Sequence, residues 1–288
     1  MKIIKKTLSV IIRTYNEDKH IGRLIDSLRC QSGSIAKDME IIAVDSGSTD
    51  STVDILKANQ IKTITIAQEQ FNYSKALNLG IDHSIGELLI ILSAHSVPCE
   101  SDWLERVIGH FEDEKVAGVY CRQVPWPDAS PIEALRVNRT FGKESMTFCG
   151  SESADVMKFS NAASCIRRNL WKRHRFVILP AAEDREWSKW ALDSGYKIIY
   201  DSRTKVYHSH NESPRKEAQR VIEIERAVDI KDRPRRNILF TIKQSAGWLV
   251  RDIGQIFSSN YSSRNKFQHS RKSFAKSFWY ILDFNRKV

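Results

Sequence analysis

No stretch of about eighteen consecutive apolar residues occurs in the chain, so no segment reads as a membrane-spanning helix. Leu8-Ser-Val-Ile-Ile12 is too short for a signal-peptide core and Arg13 follows it at once, so a secretory leader is not expected. Glycine never appears as GxGxxG or as GxxxxGK[ST], which removes the usual support for a nicotinamide, flavin or P-loop site. The five cysteines are odd in number and none are in CxxC spacing. A disulfide framework or a cysteine zinc site is therefore not expected, and a reducing cytosol fits best. Internal repeats and low-complexity tracts are absent too. Acid is scarce in one region only: from Lys231 to Val288 three aspartates face 13 Lys and Arg. The whole net charge of +10 therefore sits in that region, and the first 230 residues balance. Such a tail suits an anionic surface, either lipid headgroups or nucleic acid. No zinc-finger, RRM or KH signature supports nucleic acid.

What is present is a globular composition, 41% hydrophobic and 28% charged over 288 residues. Leu8-Ser-Val-Ile-Ile12, Glu40-Ile-Ile-Ala-Val44, Ile61 to Ile66 and Glu87-Leu-Leu-Ile-Ile-Leu92 read as strands. Helical spacing follows them, with Ile21, Leu24, Ile25 and Leu28 in the first case and Ala76, Leu77 and Leu79 in the third. This alternation predicts a doubly wound α/β sheet with ligands at the carboxyl ends of its strands. The polar groups fall there: Thr14 to Glu17, Asp45 to Asp50, and Ser93 to Ser96. Val116 to Val124 reads as a further strand, and Phe159 to Arg168 as a loop entering another.

Glu183 and Asp184 open a short helical run in which Trp187, Trp190 and Ala191 share a face. A carboxylate in the first turn is favoured in its ionised form by the free N–H groups. Beside a pocket it suits a general base that takes a proton from a hydroxyl. Gly195 ends the run as a C-cap would. Lys197 to Tyr200 and Thr204 to Tyr207 read as two strands, delivering His208 and His210. Taken singly these features have plainer readings: an acidic helix start, a cap at Asp45 or Asp50, a solvated Lys75, a core His208.

Together they resemble the glycosyltransferases of the GT-A fold, family 2, over about residues 7 to 212. Ser9-Val-Ile-Ile-Arg-Thr-Tyr-Asn-Glu17 resembles the family's nucleotide-sugar entry motif, and Val44-Asp-Ser-Gly-Ser-Thr-Asp50 its base-binding loop. Phe71 to Gly80 resembles the next nucleotide-contacting segment. Glu183-Asp184 followed by Trp187 resembles the catalytic acidic pair. His208-Ser-His210, Ser160-Asn161 and the Ser93 to Pro98 loop lean toward bacterial rhamnosyltransferase-like members. The resemblance implies a Rossmann-like GT-A domain over 1–215 and a basic helical extension over 216–288. It implies that Thr14, Tyr15, Glu17 and Asp45 hold the nucleoside, with Lys75 near the base or ribose and Asn78 steadying that segment. Asp184, with Glu183 beside it, would be the catalytic base of an inverting transfer from a nucleotide-diphosphate sugar, rhamnose being one candidate. The acceptor would be a hydroxyl of a bacterial surface glycan or lipid-linked oligosaccharide, on the cytoplasmic side of the cell membrane.

One family element is missing. An Asp-x-Asp that holds Mg²⁺ or Mn²⁺ is expected after the fourth strand, and Ser93-Ala94-His95 stands in its place. Two alternatives follow. His95, with His210 or His208, holds a softer metal; or transfer needs no metal, and His95, Lys75 or Arg167 supplies the positive charge, with Ser93 beside the leaving group. A catalytically silent sugar-nucleotide-binding subunit is the competing function. In the tail, Ile238, Ile242, Ala246, Leu249, Ile253 and Ile256 keep helical spacing, and Phe274, Phe278, Trp279, Ile281, Leu282 and Phe284 crowd among Lys and Arg. That is the pattern of an interfacial membrane helix, with a homodimer contact as the alternative.

Overall fold

The computed structural model describes residues 7–33, 38–155, 157–210, 213–229, 238–258 and 263–286. The linker expected at Lys231 to Arg236 lies outside the described residues. The chain divides into two compact units. The first comprises Met1–Val124, Thr140–Leu179 and Glu183–His208, and the second Pro125–Arg139, Pro180–Ala182 and Ser209–Val288.

The first unit is built on a nine-stranded sheet. Its strands are β1 (Leu8–Thr14), β2 (Glu40–Asp45), β3 (Lys62–Thr65), β4 (Leu88–Ser93), β5 (Val97–Pro98), β6 (Val116–Val124), β7 (Met146–Cys149), β8 (Ala163–Arg167) and β9 (Lys197–Tyr207). They lie in the order β3-β2-β1-β4-β8-β6-β9-β5, and β7 pairs with β9. β1 runs parallel to β2 and β4, and β2 parallel to β3, as a strand–helix alternation requires. Val10, Ile11 and Ile12 of β1 and Leu89 to Leu92 of β4 are fully buried, so these strands are covered on both faces. Each such side chain contributes about 1.5–3 kcal/mol through burial.

Two strand expectations change. The sheet is not parallel throughout, because β8 runs antiparallel to both β4 and β6. The two strands expected at Lys197 and Thr204 are one, β9. Its register against β6 jumps between Cys121, opposite Asp201, and Arg122, opposite Lys205. Asp201 interrupts the apolar pattern in sequence, yet it is completely buried. It is satisfied there by His110, whose Nε2 lies 2.7 Å from Oδ2, and by Arg203. Burial opposes the charge, but hydrogen bonds from His110 and Arg203 outweigh it and hold this carboxyl well below the usual range.

The helix Tyr73–Asp82 lies directly on β1 and β2. A Cβ at Gly80 would sit 2.6 Å from Ile11 Cγ2 and 2.9 Å from Val44 Cγ2, so only glycine permits that approach. Asn78, on the same helix, donates to Phe176 O and accepts from Trp171 Nε1, both at 2.9 Å. These bonds tie the segment to the loop before the Glu183 helix.

The second unit contains the helices Pro131–Thr140, Pro214–Asp229, Ile238–Ser258 and Ser263–Arg286. A small apolar core joins Ala218, Ile222 and Tyr280, with Val221, Trp248 and Trp279 packed on it. Beside it lies a polar layer. Arg136 pairs with Glu217 and Asp252, Lys276 Nζ reaches Glu217 Oε1 at 2.7 Å, and Ser273 donates to Asp252 at 3.0 Å. Burial and the nearby Arg136 push the Lys276 ammonium down to about 7. The apolar positions expected to share a face on the helix Ile238–Ser258 divide between exposed and buried settings. Ser245, Asp252 and Ile256 point inward, whereas Ile242 and Ala246 are exposed. Among the described residues no helix is long and apolar enough to cross a membrane.

Candidate functional site

Two loops at the carboxyl end of the sheet are locked together. Ser46 N donates to Thr14 O at 3.0 Å, Asn16 N to Ser48 Oγ at 2.8 Å, and Glu17 N to Thr52 Oγ1 at 2.7 Å. Asn16 holds φ 53, a left-handed position that asparagine tolerates, and from there its Oδ1 accepts from Thr49 N at 2.8 Å. Asp45 is 1% exposed and one of its oxygens accepts from Gly47 N and Ser48 N, each at 3.0 Å. It therefore shapes its own loop, and the helix that follows is served instead by Asp50, which accepts from Thr52 N at 2.9 Å. Thr14 is buried, while Tyr15 is exposed and its hydroxyl accepts from Gln68 at 2.9 Å.

Glu17 reaches His95 from this clamp, with Oε1 2.6 Å from Nδ1. The His95 ring stacks on His208 with centroids 4.8 Å apart and planes at 21°. Glu17, His95 and His208 thus stand together beyond the ends of β1 and β4, and Ser93 is the last residue of β4. Among the described residues Lys75 makes no hydrogen bond or ion pair with this cluster. It is exposed, in a helix turn capped by Asn72, and lines an open cleft of about 600 Å³ with Asp82 and Arg175. Arg167 is placed too far away to meet a leaving group: its register partner is Leu88, at the opposite end of β4 from Ser93. Its guanidinium is consumed by the carbonyls of Val116, Phe111 and Asp113 at 2.7–3.0 Å. His210 belongs to the second unit, where its N–H donates to Glu133 Oε1 at 3.2 Å.

The acidic pair begins the helix Glu183–Asp193. Trp187 and Ala191 are fully buried on its inner side, and Trp187 packs against Phe159, Phe176 and Trp190. Core packing therefore accounts for this tryptophan. Gly195 sits at φ 81 just past the helix end, as a C-cap glycine does. The two carboxylates have different surroundings. Asp184 is partly exposed; one oxygen accepts from Asn161 N at 3.1 Å and the other from Arg185 N at 2.8 Å. Glu183 is buried at 4% exposure, 3.4 Å from Asn161 Nδ2 and 3.6 Å from Arg13 Nη1. Burial, then the charge of Asp184, raises the Glu183 carboxyl, while Arg13 pulls it back. Environments that differ this way let one member of an acidic pair buttress the other.

Arg13 and Asn161 are the residues that position this pair. Arg13 was visible in sequence as one charge near the end of an apolar strand. Asn161 stood out in sequence only within the Ser160-Asn161 segment, and its hold on Asp184 gave no signal because that bond is donated by its backbone.

The profile of glycosyl transferase family 2 matches residues 9–168. The O-antigen chain rhamnosyltransferase RfbN of Salmonella typhimurium is 29% identical over 228 residues, covering 74% of this chain and 69% of its own length. WbaN of Salmonella anatum, also an O-antigen chain rhamnosyltransferase, is 28% identical over 190 residues, which is 63% of this chain and 60% of the relative. Among solved structures, the mannosyltransferase PcManGT from Pyrobaculum calidifontis, in complex with GDP-Man and Mn²⁺, superposes with a TM-score of 0.56 at 18% identity, covering 99% of this chain and 74% of that one. S. aureus TarS 1-349 in complex with UDP-GlcNAc superposes with a TM-score of 0.55 at 18% identity, covering 94% and 72%. These two likenesses establish the GT-A type of fold. The family match spans more than half of the chain and includes both loops of the clamp, so this protein belongs to glycosyl transferase family 2 and is a glycosyltransferase.

Proposed function

We propose that this protein transfers a sugar from a nucleotide-diphosphate donor to a hydroxyl of a saccharide acceptor, with inversion at the anomeric carbon. The observation that carries this reading is the setting of Asp184: a partly exposed carboxylate held from two sides by backbone N–H groups, beside a buried second acid. Asp184 takes the proton from the acceptor hydroxyl as that oxygen bonds to the anomeric carbon and the bond to the diphosphate breaks. Thr14, Tyr15, Glu17 and Asp45 belong to the paired loops that would carry the nucleoside, with Lys75 on the segment that follows. The names of the two Salmonella relatives make rhamnose the leading candidate sugar and a growing surface glycan the leading acceptor class. Acceptor-dependent release of nucleoside diphosphate tests the reading.

A divalent cation would meet a mixed donor set here: His95 and His208, whose ring nitrogens lie within 4.8 Å of one another, with the Glu17 carboxylate beside His95. Imidazole with one carboxylate suits Mn²⁺ better than Mg²⁺, which prefers oxygen alone. Bound there, the cation would neutralise the departing diphosphate. Without it that task falls to His95, whose imidazole is oriented by Glu17.

The helical unit supports a second reading, peripheral binding to the anionic inner face of a cell membrane. Beside its small apolar core it buries a polar layer, and several large apolar side chains lie exposed. Val250 is 70% exposed, Phe257 63%, Phe267 67% and Phe278 58%. Phe267, Phe274 and Phe278 share one helix face by spacing, with Arg271 and Lys272 exposed among them. Aromatic rings that enter the headgroup boundary beside cations that meet anionic lipid are what interfacial binding requires. Full-length protein is expected to bind vesicles containing anionic lipid, with binding weakened by high salt and at least ~10-fold by the pair Phe274→Ser and Phe278→Ser. Failure to bind at low salt, with a stable dimer held by this face instead, would make it an oligomer contact.

A further inference from the structure

Arg13 stands at the next-to-last position of β1, opposite Val44 of β2 and Ser93 of β4. Every preceding residue of that strand is buried, and the Arg13 side chain itself is only 14% exposed. Its Nε and Nη1 are shut off from solvent, and among the described residues no hydrogen-bond acceptor meets either. The nearest carboxylate oxygen, Glu183 Oε1, lies 3.6 Å from Nη1, too long for a hydrogen bond. The guanidinium is nevertheless held in place, because its carbon lies 5.0 Å from the centroid of the Tyr73 ring. Arginine stays charged throughout the accessible pH range. A buried cation with unmet donors is unfavourable until an anion completes it, and the planar fork suits phosphate.

We propose that Arg13 receives the diphosphate of the donor. This rests on the glycosyl-transfer reading, in which the nucleotide sugar is the anionic substrate. The position agrees: Arg13 is flanked in the sheet by Ser93 and immediately precedes Thr14, so it lies between the loop clamp and the acidic pair. It supplies at this end of the sheet a fixed positive charge where the chain has no Asp-x-Asp. Ion pairing with Glu183 is the resting arrangement; on binding, the side chain, 14% exposed at rest, turns so that its N–H groups reach the phosphate oxygens.

Calorimetric titration of the full-length chain with UDP, GDP and dTDP, and with the matching nucleosides, tests this. With the diphosphate that the wild type binds best, Arg13→Gln is expected to weaken binding ~10–100-fold, the range for losing a charge-assisted hydrogen bond. The affinity for the matching nucleoside should stay unchanged. Arg13→Lys keeps the charge without the fork and should recover part of the loss. Equal diphosphate binding by Arg13→Gln overturns the proposal and leaves glycosyl transfer standing. Equal losses for nucleoside and diphosphate also overturn it, since Arg13 then only supports β1. A wild type that binds none of the three diphosphates counts against the glycosyl-transfer reading itself.

Discussion

Asp184→Asn is expected to lower turnover by at least ~100-fold, the low end for general-base catalysis, with donor affinity nearly intact. Asparagine keeps the shape of the side chain, and its amide oxygen can still accept one of the two backbone N–H bonds that aspartate takes from Asn161 and Arg185. The helix start should therefore survive. What is lost is the basic oxygen that removes the acceptor proton. Glu183 cannot replace it, because it is buried and directed toward Arg13 and Asn161. Steady-state rates, together with donor titration of the same variant, check this. Near-normal turnover would remove Asp184 from the mechanism.

The other large effect is expected on the leaving-group side. His95→Ala should slow transfer by ~100-fold or more, the scale of one preorganised donor to developing negative charge. The ring is fixed by the Glu17 carboxylate on one edge and by the stacked His208 face, so removing it takes away a positioned group rather than a mobile one. Chelation separates the two ways His95 can act. If it holds a metal, EDTA should reproduce the loss in the wild type and Mn²⁺ should restore the wild type alone. If it acts directly, EDTA should leave the wild type unaffected while the variant stays slow. A fully active His95→Ala variant rejects both.

How much of this was legible in the sequence depended on how local each cause was. β1, β2 and β4 could be read because strands covered on both faces are written as continuous apolar runs. The helix at Glu183 was readable from its acidic first turn, its aromatic face and Gly195. β8 was readable as a strand but not in its direction, since antiparallel insertion between β4 and β6 is decided by distant partners. β9 read as two strands because Asp201 looks like a break until His110, 91 residues away in sequence, satisfies it. For the helix Ile238–Ser258 the apolar spacing was legible, but which of those positions are covered was not. Apolar spacing identifies a face but not what covers it, and here Ser245 and Asp252 turn inward onto a polar layer. In the site, the loops could be located because each follows a strand. The Arg167 assignment failed because its carbonyl partners come from a segment more than fifty residues earlier.

The most direct test of glycosyl transfer is the reaction of the full-length protein with nucleotide-diphosphate sugars, dTDP-rhamnose among them, and a saccharide acceptor, with and without Mn²⁺. Nucleoside diphosphate release should depend on the acceptor, and the new glycosidic bond, read by NMR, should have the anomeric configuration opposite to that of the donor. A product that retains the donor configuration would contradict single displacement with Asp184 as base, and donor binding with no acceptor-dependent release under any of these conditions would contradict transfer itself.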